Sequence, residues 1–489
     1  MSSVPPAAPV RTQEPLLDTV FGALWPERDL APRPTLVAAS AGVGLLATVV
    51  LPDRPMGVAA FLVVLAVVAV LASAARRTPY RIACGVLVLL LGSMVVLRAA
   101  EWLSALSLLA AAGVLAVALT EARTVTGLLA SGAAVPLAGI RGLPWLGRSL
   151  TPREGARQVA PLLRTAAVSL LLLVVFGALF GSADALVGRW LGALVPDLTW
   201  STFVGRTTLA VLVAGPTLAG AYAALNPLRV ERLALPEGRP VERAFEWLVP
   251  VGLVTALSAV FVAAQAAALF GGHAYLRRST GLTYASYVHQ GFGQLTVATV
   301  LTLGVVAAAV RKAGRASARD RLLLRALLGL LCLLTLVVVA SALHRLDLYQ
   351  QAYGYTRLRL LAAVVEGWLG LVVLLVMAAG LRLSGTWVPR AAALSAAGAV
   401  LLLGWANPDA RIAEHDVARF QQTGKVDWAY LSGLSADAVP ALAGLPAQVR
   451  HCARPTLPTG EDWLSWNLGR QRAGAYPQPA SSPQPCPGG

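Results

Sequence analysis

Between Thr35 and Trp405 the chain is a succession of apolar runs, each of a length that crosses a hydrocarbon layer. A membrane core about 30 Å thick takes about 20 helical residues. Eleven runs meet this description: 35–51, 56–75, 82–97, 102–119, 165–186, 207–225, 247–270, 292–310, 322–343, 360–381 and 390–405. In lipid each unpaired backbone group costs several kcal/mol, so these segments must be helical. The expected fold is all-α, a polytopic membrane helix bundle. Composition excludes the soluble alternative, because 57% of the 489 residues are apolar and only 13% are charged. A globular domain carries about 25% charge and could not otherwise cover a core of this size.

Orientation follows from the basic residues, which stay on the cytoplasmic side of short loops. With the N-terminus inside, the inner segments hold 24 of the 40 basic residues, the outer loops nine and the C-terminal tail seven. The N-terminus is therefore predicted inside and the tail outside. The segment TVTGLLASGAAVPLAGI at 124–140 is apolar enough to enter the membrane. As a full span it would carry Arg141, Arg148, Arg153, Arg157 and Arg164 outside, so it is expected to be interfacial or re-entrant. The formal charge of +16, which in a soluble protein would point to nucleic acid, lies mostly on the inner segments. It suits insertion and contact with anionic headgroups, and nucleic acid is not expected as a partner. Of the basic residues only Lys312 and Lys425 are lysine, the usage of a GC-rich bacterial genome, so a bacterial cytoplasmic membrane is the expected location.

Five regions are predicted. Residues 1–34 form a proline-rich disordered cytosolic arm, and 35–164 hold four membrane helices with the cytosolic interfacial segment. Residues 165–405 form a seven-helix core, 406–450 a small helical region, and 451–489 a Pro/Gly/Ser-rich disordered tail. Within 406–450 the apolar positions Ile412, Val417, Phe420, Trp428, Leu431, Leu434, Val439 and Leu442 recur at helical spacing, with Ser435 and Asp437 placed to start the last helix. If the tail is outside, Cys452 and Cys486 lie where thiols oxidise and can pair; two free thiols are the alternative. No CxxC or His/Cys spacing for structural zinc occurs.

Several strings resemble an uncharacterised bacterial membrane family, domain of unknown function 4173, with the 4153 group as its relative. They are FGALFGSADAL at 176–186, Gln265 through ALFGG at 268–272, YASYVHQGFGQL at 284–295, YGYTRLRL at 353–360, and NPDARIAEHDVARF followed by DWAYLSGLSADAVPAL. They run in order from about residue 165 to 445. The resemblance implies a multi-pass core with a helical tail and brings no activity or catalytic residue. The chain departs from the pattern at His289 and Gln290, where an arginine or similar residue is expected before GF.

Ionisable groups in or beside spans are expensive and are functional candidates by default. On the predicted topology Asp184, His273, Arg277, His289, His344, Asp347, Arg357, Arg359 and Glu366 all fall at the outer side, with Gln265 inside a span. Glu366 follows Arg359 by seven residues on one helix, about 10 Å at 1.5 Å per residue. One reading is an outward-facing polar pocket for a small anion or zwitterion, arginines donating and carboxylates balancing charge. The competing reading is that these groups lock helices together or snorkel. No pair of the five histidines has helix-borne ligand spacing, so no metal is expected. The GFG at 291–293 lacks the strand and third glycine of a nucleotide loop, and no cofactor is expected. The first outer loop, LPDRP, is too small for the acidic motif of a membrane glycosyltransferase. A non-enzymatic protein that binds a small-molecule ligand or an envelope partner is the expectation, and a secondary transporter for a small polar or anionic solute is the alternative. Transport would draw support from a repeat of ALFGSADAL and ALFGGHAYL and from a helix break at Gly215-Pro216.

Overall fold

The computed structural model describes residues 21–26, 28–150, 200–234, 241, 243–270, 292–314, 317–382, 384–458 and 462–477, with isolated positions at 17, 165, 168, 169, 172, 176, 180 and 486. It is all-α, with no strand among the described residues. In chain order the helices are α1 Pro34–Val50, α2 Val58–Ala74, α3 Pro79–Leu97, α4 Glu101–Thr120, α5 Val125–Arg141, α6 Leu143–Leu150, α7 Trp200–Leu225, α8 Phe245–Phe270, α9 Phe292–Lys312, α10 Ala318–Tyr353, α11 Arg357–Arg382 and α12 Val388–Trp405, followed by α13 Pro408–Thr423, α14 Trp428–Ser432, α15 Val439–Leu442 and α16 Leu468–Gly474. Ten of the eleven expected runs are helices; the eleventh, 165–186, lies almost wholly outside the described residues. Eight helices (α3, α4 and α7–α12) are long and apolar enough to cross a membrane, and α1 and α2 are shorter apolar helices. This is a multi-pass membrane protein. At 36 residues α10 is about 54 Å long and extends beyond a core about 30 Å thick.

The two largest apolar clusters of the bundle lie at different sets of helices. One gathers α1, α2, α4, α5 and α7 around Val43, Ala47, Leu71, Leu119, Ala138 and Ala221. The other gathers α8–α11 around Val251, Val306, Leu328, Leu331 and Val373. α12 touches α3, α4 and α11 and so bridges the two. Close approach depends on small residues, as is general in lipid: a Cβ on Gly44 of α1 would come within 2.7 Å of the Ala210 carbonyl oxygen of α7. Thr217, Thr255, Thr299 and Thr335 donate their hydroxyls to carbonyls four residues back, so these four hydroxyls are paired within their own helices. α7 runs through Pro216 without interruption, so Gly215-Pro216 is no break.

The loops sort to two ends. At one end Arg390 donates to the carbonyls of Glu121 and Ala122 and stacks on Tyr80, while Arg81 pairs with Glu121 at 3.2 Å. At the other, the loops around Arg54, Arg98 and Gly354 meet the residues that follow α12, whose helices α13–α16 form a cap. α5 and α6 are a helix pair bent by 45°. Both ends of α5 are tied to the stretch that follows α7. At its start the Arg123 and Thr124 amides donate to Glu231, and at its finish Arg141 donates to the Trp25 carbonyl, whose indole donates to the carbonyl of Asn226.

Two expectations of disorder are corrected. Residues 21–33 are not a free arm: Trp25 is fully buried, the Trp145 indole donates to Ala31, and the Ser149 hydroxyl accepts the Arg33 amide. Residues 462–477 are likewise packed, with Asn467 buried and its amide donating to the carbonyls of Val95 and Arg98. In each case one or two residues find acceptors or apolar partners far off in the chain, which a proline-rich composition does not reveal.

Candidate functional site

The cap is built on its own small core of Ile412, Val417, Trp428, Leu431, Leu442 and Leu445, and three of its aspartates meet the bundle. Asp409 has no exposed surface. Arg357, the first residue of α11, grips it through two parallel bonds, Nε to Oδ1 at 2.9 Å and Nη2 to Oδ2 at 2.6 Å. The Ser435 amide and the Trp102 indole complete the set of donors at 2.8 and 3.2 Å. Burial opposes the Asp409 charge, but the Arg357 bonds and charge with the Ser435 donor outweigh it and hold the carboxyl below its ordinary range. Asp437 accepts the amides of Ala99 and Ala100 at 2.7 and 3.1 Å and thereby caps the start of α4. Burial raises its pKa, offset in part by those amides and by Arg98. Asp416 accepts the Tyr355 amide at 2.8 Å, and burial pushes it up to about 6. The Tyr430 hydroxyl accepts the Arg357 amide at 2.7 Å. Cap side chains thus satisfy donors at the starts of two membrane helices, which would otherwise be orphaned there.

Around this clasp sit other expected residues. Arg359 donates to the carbonyls of Tyr353 and Gly354, closing the end of α10, and lies 4.5 Å from the Tyr349 ring centroid. Gly354 takes φ +85°, a turn favoured by glycine, and a Cβ there would come within 2.9 Å of Asp416. Asp347 is exposed and accepts from Gln351 at 2.9 Å and from the Tyr355 hydroxyl at 3.4 Å. His415 stacks on Tyr355 with centroids 4.3 Å apart, and His344 is exposed. Cys452 and Cys486 form a disulfide, with His451 beside it. These three offer a cluster of ligand atoms, but both sulfurs are already bonded to each other.

Deeper in the bundle lies a polar layer across α8–α11. Glu366 of α11 is fully buried, and Thr296 of α9 donates to its Oε2 at 2.8 Å. Gln265 of α8 accepts from Ser341 of α10 through Oε1, while its Nε2 has no partner among the described residues. Val262, Leu295, Val338 and Ala342 pack together on α8, α9 and α10, each within one turn of Gln265, Thr296 or Ser341. The structure therefore divides the expected cluster. Arg357 and Arg359 belong to the clasp, and Glu366 and Gln265 to the buried layer. Asp184, His273, Arg277 and His289 lie outside the described residues.

Sequence reasoning passed over Asp409, Asp416, Tyr430 and Asn467. Asp409 and Asp416 stand in the NPDARIAEHDVARF string, and that resemblance was the available signal; isolated aspartates in a polar tail carry none of their own. Cavities also open between the helices. One, of about 390 Å³, lies between α5, α6 and α7 beside Tyr222 and Trp145. Another, of about 430 Å³, lies between α9, α10, α11 and α12. Neither is lined by Gln265 or Glu366.

Comparison with known proteins gives one result. A family model described as Domain of unknown function (DUF4153) matches residues 85–445, well over half the chain, reaching further towards the N-terminus than the strings that carry the resemblance. No curated protein and no solved structure matches the chain.

Proposed function

The chain belongs to the family described as Domain of unknown function (DUF4153), and from that premise we propose that it is a bacterial cytoplasmic-membrane protein, N-terminus inside and cap outside, that binds a small polar ligand rather than catalysing a reaction. The excess of basic residues at the end opposite the cap supports the orientation. The observation that carries the ligand reading is the open pair in the buried layer. Among the described residues Glu366 of α11 offers an unmatched acceptor and Gln265 of α8 an unmatched donor, and both helices pack against α9 and α10, which supply their bonded neighbours Thr296 and Ser341. Buried polar groups are ordinarily paired, and an ionisable group at membrane depth is a functional candidate by default. A solute carrying both a donor and an acceptor, such as a small zwitterion, would satisfy both groups.

Arg357 and Arg359 do not serve such a ligand in this reading, because the cap and the end of α10 occupy them. The cap then acts as a fixed outer head, the surface available to an envelope partner. Transport past Arg357, Arg359 and Glu366 is the weaker reading, since Arg357 is closed by Asp409 and α7 is unbroken at Pro216.

A thermal-shift screen of amino acids, amines and carboxylic acids on the purified protein tests the site. At least one solute is expected to raise the melting temperature, and Glu366→Gln is expected to weaken it at least tenfold while leaving the ligand-free protein folded. A solute that binds Glu366→Gln and Gln265→Ala as well as the natural protein would sink the assignment. A reporter joined after residue 445 that is active only in the cytosol would sink the orientation.

A further inference from the structure

The cavity of about 430 Å³ lies towards the arginine-rich end and shares no residue with the buried polar layer. Its volume is within the roughly 300–1,000 Å³ of ligand sites. It runs from Arg325 and Ser384 past Leu328 and Val376 to Leu303 and Cys332. The seven steps along α10 from Arg325 to Cys332 give it a depth of about 10 Å. Its walls are almost wholly apolar. Glycines open it, because a Cβ added at Gly329, Gly380 or Gly385, all lining residues, would meet nothing within 4 Å.

The mouth differs in kind from the walls. Arg325 is exposed and makes no hydrogen bond or ion pair among the described residues. Ser384 is exposed beside it on the α11–α12 loop, and its carbonyl accepts the Trp387 indole at 2.9 Å. Trp387 is 40% exposed, as expected of a tryptophan at headgroup level. An apolar void does not hold water stably, and a polar solute would find no partners along these walls. Hydrocarbon fits the walls, and a guanidinium at a bilayer surface matches phosphate through paired donors.

We propose that this crevice is a binding site for an anionic phospholipid of the leaflet at the arginine-rich end, with one acyl chain between α9, α10 and α11 and the phosphate held by Arg325. The site is independent of the Glu366 layer and stands or falls separately from it.

Native mass spectrometry of the full chain, released from mixed vesicles of phosphatidylglycerol and phosphatidylcholine, tests it. The natural protein is expected to retain phosphatidylglycerol at least fivefold over phosphatidylcholine. Arg325→Gln should erase that preference while some lipid remains, and Gly329→Leu, which fills the crevice from its wall, should cut occupancy by both lipids at least fivefold. Gly380→Leu fills the same space from α11 and serves where Gly329→Leu elutes as an aggregate. Excess glycerol phosphate should fail to displace the lipid, because it lacks the chain. Equal retention of the two lipids by the natural protein, an unchanged preference in Arg325→Gln, unchanged occupancy in both filled variants, or displacement by glycerol phosphate would each overturn the proposal.

Discussion

Arg357 and Asp409, the first residue of α11 and the second of α13, meet as a two-bond pair in which the aspartate has no exposed surface. The pair ties the last portion of the chain to the start of a membrane helix. Asp437 repeats the arrangement at the start of α4, so the cap is held at two helix ends that are far apart in sequence.

Removing one partner of this pair strands the other. Asp409→Ala leaves the Arg357 guanidinium, the Ser435 amide and the Trp102 indole without their acceptor. Breaking a buried pair in this way costs about 3–5 kcal/mol. Limited proteolysis should then cut after residue 405 at least tenfold faster than in the natural protein. Arg357→Lys should rescue little, because an ammonium cannot make both parallel bonds. Cleavage at the natural rate in Asp409→Ala would show that the pair does not hold the cap.

Asp416 gives the cap a pH dependence. Its carboxyl is held at about 6 in the folded protein, above about 3.9 in an unfolded chain. The folded state therefore binds the proton more tightly, and docking strengthens as pH falls from 6 towards 4 and weakens as pH rises through 6. The slope is at most about 1.4 kcal/mol per pH unit. Asp409 works the other way: its pKa is lowered, so its contribution is complete above the ordinary carboxylate range and is lost as pH falls through its folded value. Hydrogen exchange at the Tyr355 amide, bonded to Asp416, should be slowest relative to the unfolded chain near pH 4 and should quicken as pH rises from 4 through 6. Asp416→Asn should flatten the limb above pH 4; a curve unchanged by that substitution contradicts the assignment.

The disulfide closes a separation of 34 residues. Cross-links of this kind contribute about 2–4 kcal/mol, mainly by restricting the unfolded chain. Cys486→Ser should lower the thermal midpoint of the cap and abolish the mobility difference between reduced and unreduced protein on a denaturing gel. The bundle should be unaffected, since Cys84 and Cys332 are free and buried within it.

At the other end, Trp25 acts as a plug. Its ring lies 6.2 Å from that of Tyr222, its indole donates to the Asn226 carbonyl, and Arg141 donates to its own carbonyl. Trp25→Ala should cost about 3–5 kcal/mol, the usual range for a buried tryptophan. Protease added on the arginine-rich side of oriented vesicles should then reach residues 26–33 at least tenfold faster. Equal protection in both proteins would mean that residues 21–33 are held by other contacts.

The membrane helices were legible because lipid leaves the backbone one solution, and a run of about 20 apolar residues states it locally. The apolar, helical character of 124–140 was legible for the same reason, and the structure adds the 45° bend between α5 and α6. The polar residues were another matter. Ser435 and Asp437 carry a local signal for starting their own helix, yet Asp437 caps α4 and the Ser435 amide donates to Asp409. Arg357 and Glu366 read as one cluster by spacing along a helix, and packing sends the first to the cap and the second into the buried layer. Sequence by itself determined that the chain is helical, crosses the membrane many times and concentrates its basic residues at one end, because hydrophobicity and charge are properties of each segment alone. Only the tertiary structure decided which carboxylate meets which donor, because a hydrogen bond depends on ångström-scale placement of groups hundreds of residues apart.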